Sequence, residues 1–165
     1  MEKYLLRTEK EVGEIYNRHV NSIYRICFTY MKNKADTEDA VQNTFVKLLK
    51  YSGEFQNEEH EKAWLIVTAT NICKDHFRHW WQKKEQLEDH ENLCIESHFE
   101  IDETIAVVMT LPDKYKIVIY LYYYEGYTST AIAGMLQKPQ STIRNYLHEG
   151  RLILRKKLGG EFDEE

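Results

Sequence analysis

The chain has 165 residues, 42% of them hydrophobic, a formal net charge of −5 and only two prolines and seven glycines, which suits one or two small domains built from uninterrupted helices. No apolar run is long enough to cross a bilayer, and the opening MEKYLLRTEKE lacks the charged-then-apolar order of a signal peptide. The cysteines, Cys27, Cys73 and Cys94, are odd in number and form no C-x-x-C pair, which argues against a disulfide framework and for a reducing, cytoplasmic setting.

Apolar residues recur at helical spacing from Glu9 to Met31, with Val12, Ile15, Tyr16, Ile23, Ile26, Cys27 and Tyr30 on one face. Asn33 to Ala35 reads as a turn. Asp36 is placed to cap a second helix, with Asp39 at the capping-box position three residues on. That helix runs to about Lys50 with Val41, Phe45 and Leu48 in line, and Gly53 ends it. Its polar residues Glu38, Asp39, Gln42 and Asn43 adjoin Phe45, Leu48 and Leu49, a layout that suits docking on a partner helix but equally an ordinary amphipathic helix. After the polar stretch EFQNEEHE, a third helix is predicted from Glu61 to Gln82. Its C-terminal half gathers Lys74, Arg78, His79, Lys83 and Lys84 around Phe77, Trp80 and Trp81. Cations neutralise phosphates and aromatic faces stack on unpaired bases, so this half suits DNA that is being opened. Core aromatics under a solvated basic face would explain the same residues.

Composition then changes abruptly. Residues 85–103 carry acids at Glu85, Glu88, Asp89, Glu91, Glu96, Glu100, Asp102 and Glu103 and no Lys or Arg, an acidic linker by its charge pattern. Within it His90, Cys94 and His98 stand at i, i+4 and i+8. On a helix they would share a face and could meet zinc, but beyond Glu91 or Glu96 no fourth ligand is evident, and a polar linker usually leaves its histidines solvated. A second apolar pattern starts at Ile105, Val108 and Met109, is punctuated by Leu111-Pro112-Asp113, and continues as a helix from Lys114 to Tyr124 packed through Ile117, Val118, Leu121 and Tyr124.

Residues 126–157, GYTSTAIAGMLQKPQSTIRNYLHEGRLILRKK, read as two helices around a tight turn at Gln137 and Lys138. Ile132, Ala133, Met135 and Leu136 give the first an apolar face. Pro139 suits the first turn of the second. Ile143, Leu147 and Leu154 form a buried stripe, with Arg144, Asn145, His148 and Arg151 mostly off it. This is the layout of a helix-turn-helix whose second helix lies in the DNA major groove; a helical hairpin with a solvated basic face is the plainer alternative. Gln140, Arg144 and His148 are the candidates for base edges, the N–H groups of Ser141 and Thr142 for a phosphate, and Arg155, Lys156 and Lys157 for phosphates further along. The tail GGEFDEE is acidic. There is no strand-period segment, no internal repeat and no P-loop, G-x-G-x-x-G, G-x-S-x-G or H-E-x-x-H, so an enzyme is the weakest reading and no cofactor is expected. The expected class is all-α: a helical domain over 1–84, the acidic linker over 85–103, and a helix-turn-helix domain over 104–160.

In order and spacing, DTEDAVQNTFVKLLK (36–50), AWLIVTATNICKDHFR (63–78), LPDKYKIVIYLYYYEGYTSTAIAGML (111–136) and STIRNYLHEGRLILRKKL (141–158) resemble the bacterial sigma factors of RNA polymerase, and within the sigma-70 family the small two-domain extracytoplasmic-function group. The resemblance implies that the second helix docks on the polymerase clamp helices through Asp39, Gln42, Phe45 and Leu48. It implies that the third helix and the loop before it read and help melt the −10 element through Asn71, Asp75 and Arg78. The −35 element would be read by Gln140, Ser141, Thr142, Arg144, Asn145, His148 and Arg151. The implied partners are bacterial core RNA polymerase and promoter DNA; whether an anti-sigma protein restrains the chain is left open. The chain departs from the family pattern at Asn43, where an acid is usual, in HFRHWWQKK, which is less rich in Arg, and at Glu149, commonly basic. A conventional helix-turn-helix regulator shares the G-x5-I-A…T-I-R spacing but has no need of the Asp36–Arg78 pattern. An interaction protein that holds polymerase without reading DNA would have lost the basic residues of both DNA helices, and here the loss is partial.

Overall fold

The computed structural model describes residues 7–83 and 103–159. Among the described residues there are helices and no strand: α1 Glu9–Met31, α2 Lys34–Lys50, α3 Glu58–Lys83, α4 Glu103–Val108, α5 Asp113–Tyr123, α6 Ser129–Leu136 and α7 Gln140–Lys157. They make two compact units, α1 to α3 in one and α4 to α7 in the other. All of the acidic stretch except Glu103, and with it His90, Cys94 and His98, lies outside the described residues.

In the first unit, Thr8 caps α1 by accepting from the Glu11 N–H at 3.1 Å, which satisfies one orphan donor of the first turn. Lys32 turns the chain with a left-handed φ of 63°. The cap of α2 is Asn33, not Asp36. Its side-chain oxygen accepts from the Asp36 N–H at 2.8 Å, and its amide nitrogen donates to the Asp36 carboxylate at 2.9 Å. The reciprocal pair therefore sits one turn earlier than Asp36 and Asp39 would place it, and the expected turn residues Lys34 and Ala35 are helical. The third helix also starts early, because Asn57 accepts from the His60 N–H at 2.8 Å and opens α3 inside what reads as a polar loop.

Ile23, Ile26, Cys27, Leu48, Leu65, Ile66, Ala69 and Cys73 have no exposed surface and form the core of this unit. The last turns of α1 are buried all round, residues 26–31 without exception. Cys27 and Cys73 are free thiols buried between α1 and α3; the hydrogen bond to Cys73, then burial, holds the Cys27 thiol well above its ordinary range. Tyr16, expected on the apolar face, is 42% exposed and rests edge-on against Phe45, 4.9 Å between ring centres. A buried polar brace joins α1 to α3: Glu61 of α3 receives Arg18 at 2.9 and 3.1 Å and meets His19 Nε2 at 2.8 Å.

The second unit is built on α5, whose residues 116–121 are all buried. The buried Lys116 side chain lies 2.9 Å from the Asp113 carboxylate. Tyr124 is the C-cap of α5 and half-buried rather than a core position. Gly126, at φ +76°, reverses the chain into α6. Gln137, at φ 55°, ends α6 with its N–H on the Ala133 carbonyl, and Pro139 caps α7 with φ −59°. The α7 stripe of Ile143, Leu147 and Leu154 is buried as expected, and Gly150 lies in line with it. A Cβ at Gly150 would stand 2.8 Å from Ile119 Cγ1, so α7 crosses α5 at a distance that only glycine permits.

Candidate nucleic-acid interface

The packing of α7 sorts its residues. With Ile143, Leu147, Gly150 and Leu154 turned inward, Gln140, Ser141, Arg144, Asn145 and His148 are exposed and Thr142 is half-buried. The exposed set fills the first two and a half turns, the part of a helix that can reach base edges in a groove. Gln140 is not a loose end: its amide donates to Thr130 Oγ1 at 2.8 Å and ties the start of α7 to the first turn of α6. No side chain caps α7. The Thr142 N–H donates to the Pro139 carbonyl at 3.0 Å, so of the two N–H groups expected to meet a phosphate, Thr142 is already used.

Arg151 is held elsewhere. It donates to the Tyr123 hydroxyl at 2.6 Å, and its guanidinium carbon lies 5.4 Å from the Tyr122 ring centre and 5.7 Å from that of Tyr123. This side chain braces α7 on α5 instead of standing out with Arg144 and His148. Lys157 donates to Thr110 Oγ1 at 2.7 Å, whereas Lys156 is exposed. Glu149 is half-buried.

On α3, Asn71, Asp75 and Arg78 are exposed and fall at i, i+4 and i+7, one face of the helix. Arg78 lies 3.7 Å from the Asp75 carboxylate, and both side chains are open to solvent. Lys74 and His79 are exposed nearby and Phe77 is half-buried; the side chains of Trp80 and Trp81 are outside the described ones. Seven residues before Asn71, in the same register, stands Trp64. At ~1.5 Å per residue the face from Trp64 to Arg78 spans about 21 Å.

The Trp64 end carries a group that sequence reasoning missed. Tyr51 stacks on Phe55 (5.5 Å, 22°) and leans on Trp64 (4.6 Å), Phe55 lies 5.8 Å from Trp64, and His60 meets Phe55 edge-on. These aromatics come from the end of α2, the loop and the start of α3, so no helical period links them. The signal available was a short loop flanked by large rings. The result is one face of α3 with aromatic surface at its N-terminal end and polar and cationic groups at its C-terminal end.

On α2, Asp39 and Gln42 are exposed, but Phe45 and Leu48 are not: they keep 6% and 0% of their surface. With Val41 they form the inward stripe of the helix, spaced at i, i+4 and i+7, and cannot meet a partner directly. The outward apolar residue beside Gln42 is Val46, 39% exposed. Asn43 is exposed next to it. Among the described residues no helix is long and apolar enough to cross a membrane, and no cluster of His, Cys, Asp and Glu is arranged for a metal ion.

Comparison with known proteins agrees with this division. Residues 15–82 match Sigma-70 region 2, and residues 101–154 match Sigma-70, region 4. The chain is 27% identical over 167 residues to the ECF RNA polymerase sigma factor SigW of Bacillus subtilis, with 88% of each chain covered. It is also 27% identical over 148 residues to the RNA polymerase sigma factor SigV of the same organism, covering 87% of this chain and 88% of that one. Among solved structures, the sigma factor RpoE of Bartonella quintana, in complex with the anti-sigma factor NepR, superposes with a TM-score of 0.73 at 16% identity over 93% of this chain and 99% of that one. CnrH, in complex with the cytosolic domain of CnrY, gives 0.65 at 17% identity over 94% and 92%; at these identities the likeness concerns the fold.

Proposed function

We infer that this chain, which belongs to the sigma-70 family of RNA polymerase sigma factors and to its extracytoplasmic-function group, binds core RNA polymerase and directs it to promoters through their −10 and −35 elements. The observation that carries the reading is the pairing, in one chain, of a helix-turn-helix with an α3 face that is aromatic at one end and cationic at the other. A duplex reader needs only the first. A protein that holds DNA open needs surfaces for unpaired bases, which aromatic rings provide. The reading as a conventional regulator leaves α1 to α3 without a task.

In this proposal the outer face of α2, with Asp39, Gln42 and Val46, meets the polymerase, while Phe45 and Leu48 act from beneath by fixing that face. Asn71, Asp75 and Arg78 track the −10 strand, and Tyr51, Phe55 and Trp64 offer stacking surface at its other end. Arg144, Asn145 and His148, with Gln140 and Ser141, face the −35 groove; Thr142 and Arg151 support the helix that carries them. The domain limits 1–84 and 104–160 belong to the same proposal, as does a cytoplasmic location, where core polymerase works. The Bartonella relative was solved with an anti-sigma factor, and a restraining protein of that kind is part of the proposal for this chain.

Run-off transcription with bacterial core polymerase on genomic fragments, the chain's own upstream region included, tests the reading. Discrete transcripts that require both the chain and core are expected. Selective binding of the chain alone to those fragments, without any core-dependent transcript, would favour the regulator.

A further inference from the structure

We propose that Arg7 is a positioning residue for strand capture: its guanidinium fork pins the loop between α2 and α3 and thereby fixes the cluster of Tyr51, Phe55 and Trp64. The proposal rests on the reading of that cluster and the α3 face as the −10 surface. It starts from a general deficit. The last carbonyls of a helix have no partner within it, and α2 ends at Lys50 with Tyr51 as its C-cap. Arg7 supplies one donor at that end and a second just past it: Nη1 donates to the carbonyl of the C-cap Tyr51 and Nη2 to the Gly53 carbonyl in the loop. A positive charge at that end also opposes the helix dipole.

The same guanidinium holds the rings. Its carbon lies 4.9 Å from the Phe55 ring centre and 5.4 Å from that of Tyr51, within the range of cation–π attraction. Tyr51 in turn folds back over the loop so closely that a Cβ at Gly53 would collide with its ring and hydroxyl. One planar group thus bridges two carbonyls and two aromatic faces of a short loop. A lysine ammonium keeps the charge but not the fork that spans both carbonyls.

Two other roles for Arg7 fit less well. A phosphate contact is disfavoured because Glu11, Glu14 and Glu54 line the cleft around Arg7 and repel a nucleic-acid backbone, while the other cation there, Arg18, is taken up by Glu61. A plug that blocks the rings would use one aromatic face, not the backbone of the loop that carries them.

The test uses the intact chain in complex with bacterial core polymerase. The probe is a fluorescent single strand spanning the −10 element of a promoter found by run-off transcription. Arg7→Ala is expected to lower affinity for this strand about three- to tenfold, on the scale of a lost positioning contact, with no change in the slope of log affinity against log salt. Arg7→Lys should recover little of the loss. Hydrogen exchange on the free chain should show the amides of residues 52–56 opening faster in Arg7→Ala, with the α1 and α3 amides unchanged. A salt slope reduced by about one would make Arg7 a phosphate contact, a gain in affinity would make it a plug, and unchanged loop exchange would remove the clamp. If the wild-type complex fails to select the −10 strand at all, the function proposed for the α3 face fails, while hydrogen exchange still decides whether Arg7 pins the loop.

Discussion

Glu61 shows how much one side chain can carry in a three-helix unit. Its carboxylate retains 8% exposure and accepts from Arg18 while touching His19, itself buried at 7%. Removing it leaves Arg18 and His19 on α1 without the carboxylate they share. Breaking a buried charge pair by deleting one member costs about 3–5 kcal/mol. Arg18 is 35% exposed and can turn to water, so the expected cost of Glu61→Ala is lower, about 2–3 kcal/mol. Glu61→Gln keeps one acceptor and should lose less. Urea unfolding with an unchanged m value measures both. A Glu61→Ala midpoint close to wild type would mean that apolar packing alone holds α1 to α3.

At the scale of the helix, α7 makes the sharper claim. Arg144 stands out between Ile143 and Leu147, which are 0% and 3% exposed, so its direction is set by their burial. Its fork can grip a guanine through two bonds, worth about 1–3 kcal/mol against a wrong base. Arg144→Ala should cost about that much at the cognate −35 element and flatten preference at one or two positions. Lys156→Ala, at the exposed far end, should weaken all sequences alike and lessen the salt dependence. Binding across a library of −35 variants at fixed salt separates the two, and a uniform loss for Arg144→Ala would take this side chain out of the groove.

The stripe of α7 was legible in the sequence because a period near 3.6 survives any packing partner. So was the α1 helix from Glu9 to Met31. Other features depend on what lies across the helix. Gly150 reads as an interruption until Ile119 is seen beneath it. Arg151 reads as one more cation until Tyr122 and Tyr123 are found against it. The α2 face was half legible. Gln42 is outward as expected, but the spacing of Val41, Phe45 and Leu48 marks an apolar stripe without saying whether it faces a core or a partner; burial assigns it to the core. The Asn33 cap was missed because Asn33 and Asp36 both suit an N-terminus, and only the reciprocal bonds distinguish them.

For the whole molecule, charge sets how the two units must cooperate. A chain of net charge −5 has little general attraction for DNA, since nonspecific affinity comes from neutralising phosphates. The cations placed to meet DNA are few, among them Lys74 and Arg78 near the end of α3 and Arg144 and Lys156 on α7. Selective binding should therefore arise when core polymerase supplies the missing contacts and presents both units to one promoter. At physiological salt the free chain is expected to prefer promoter over random duplex by less than about tenfold, and the complex with core by more than about a hundredfold, within the usual range for specific recognition. Changing Gln42 and Val46 together to Lys alters only the outer face of α2, since Gln42 is exposed and Val46 is 39% exposed. Circular dichroism should be unchanged and co-purification with core should be lost. The promoter footprint should vanish with it, although every DNA-facing residue is intact. A double variant that still co-purifies with core would exclude this face as the docking surface, and a free chain that selects its promoter tightly would be a regulator in its own right.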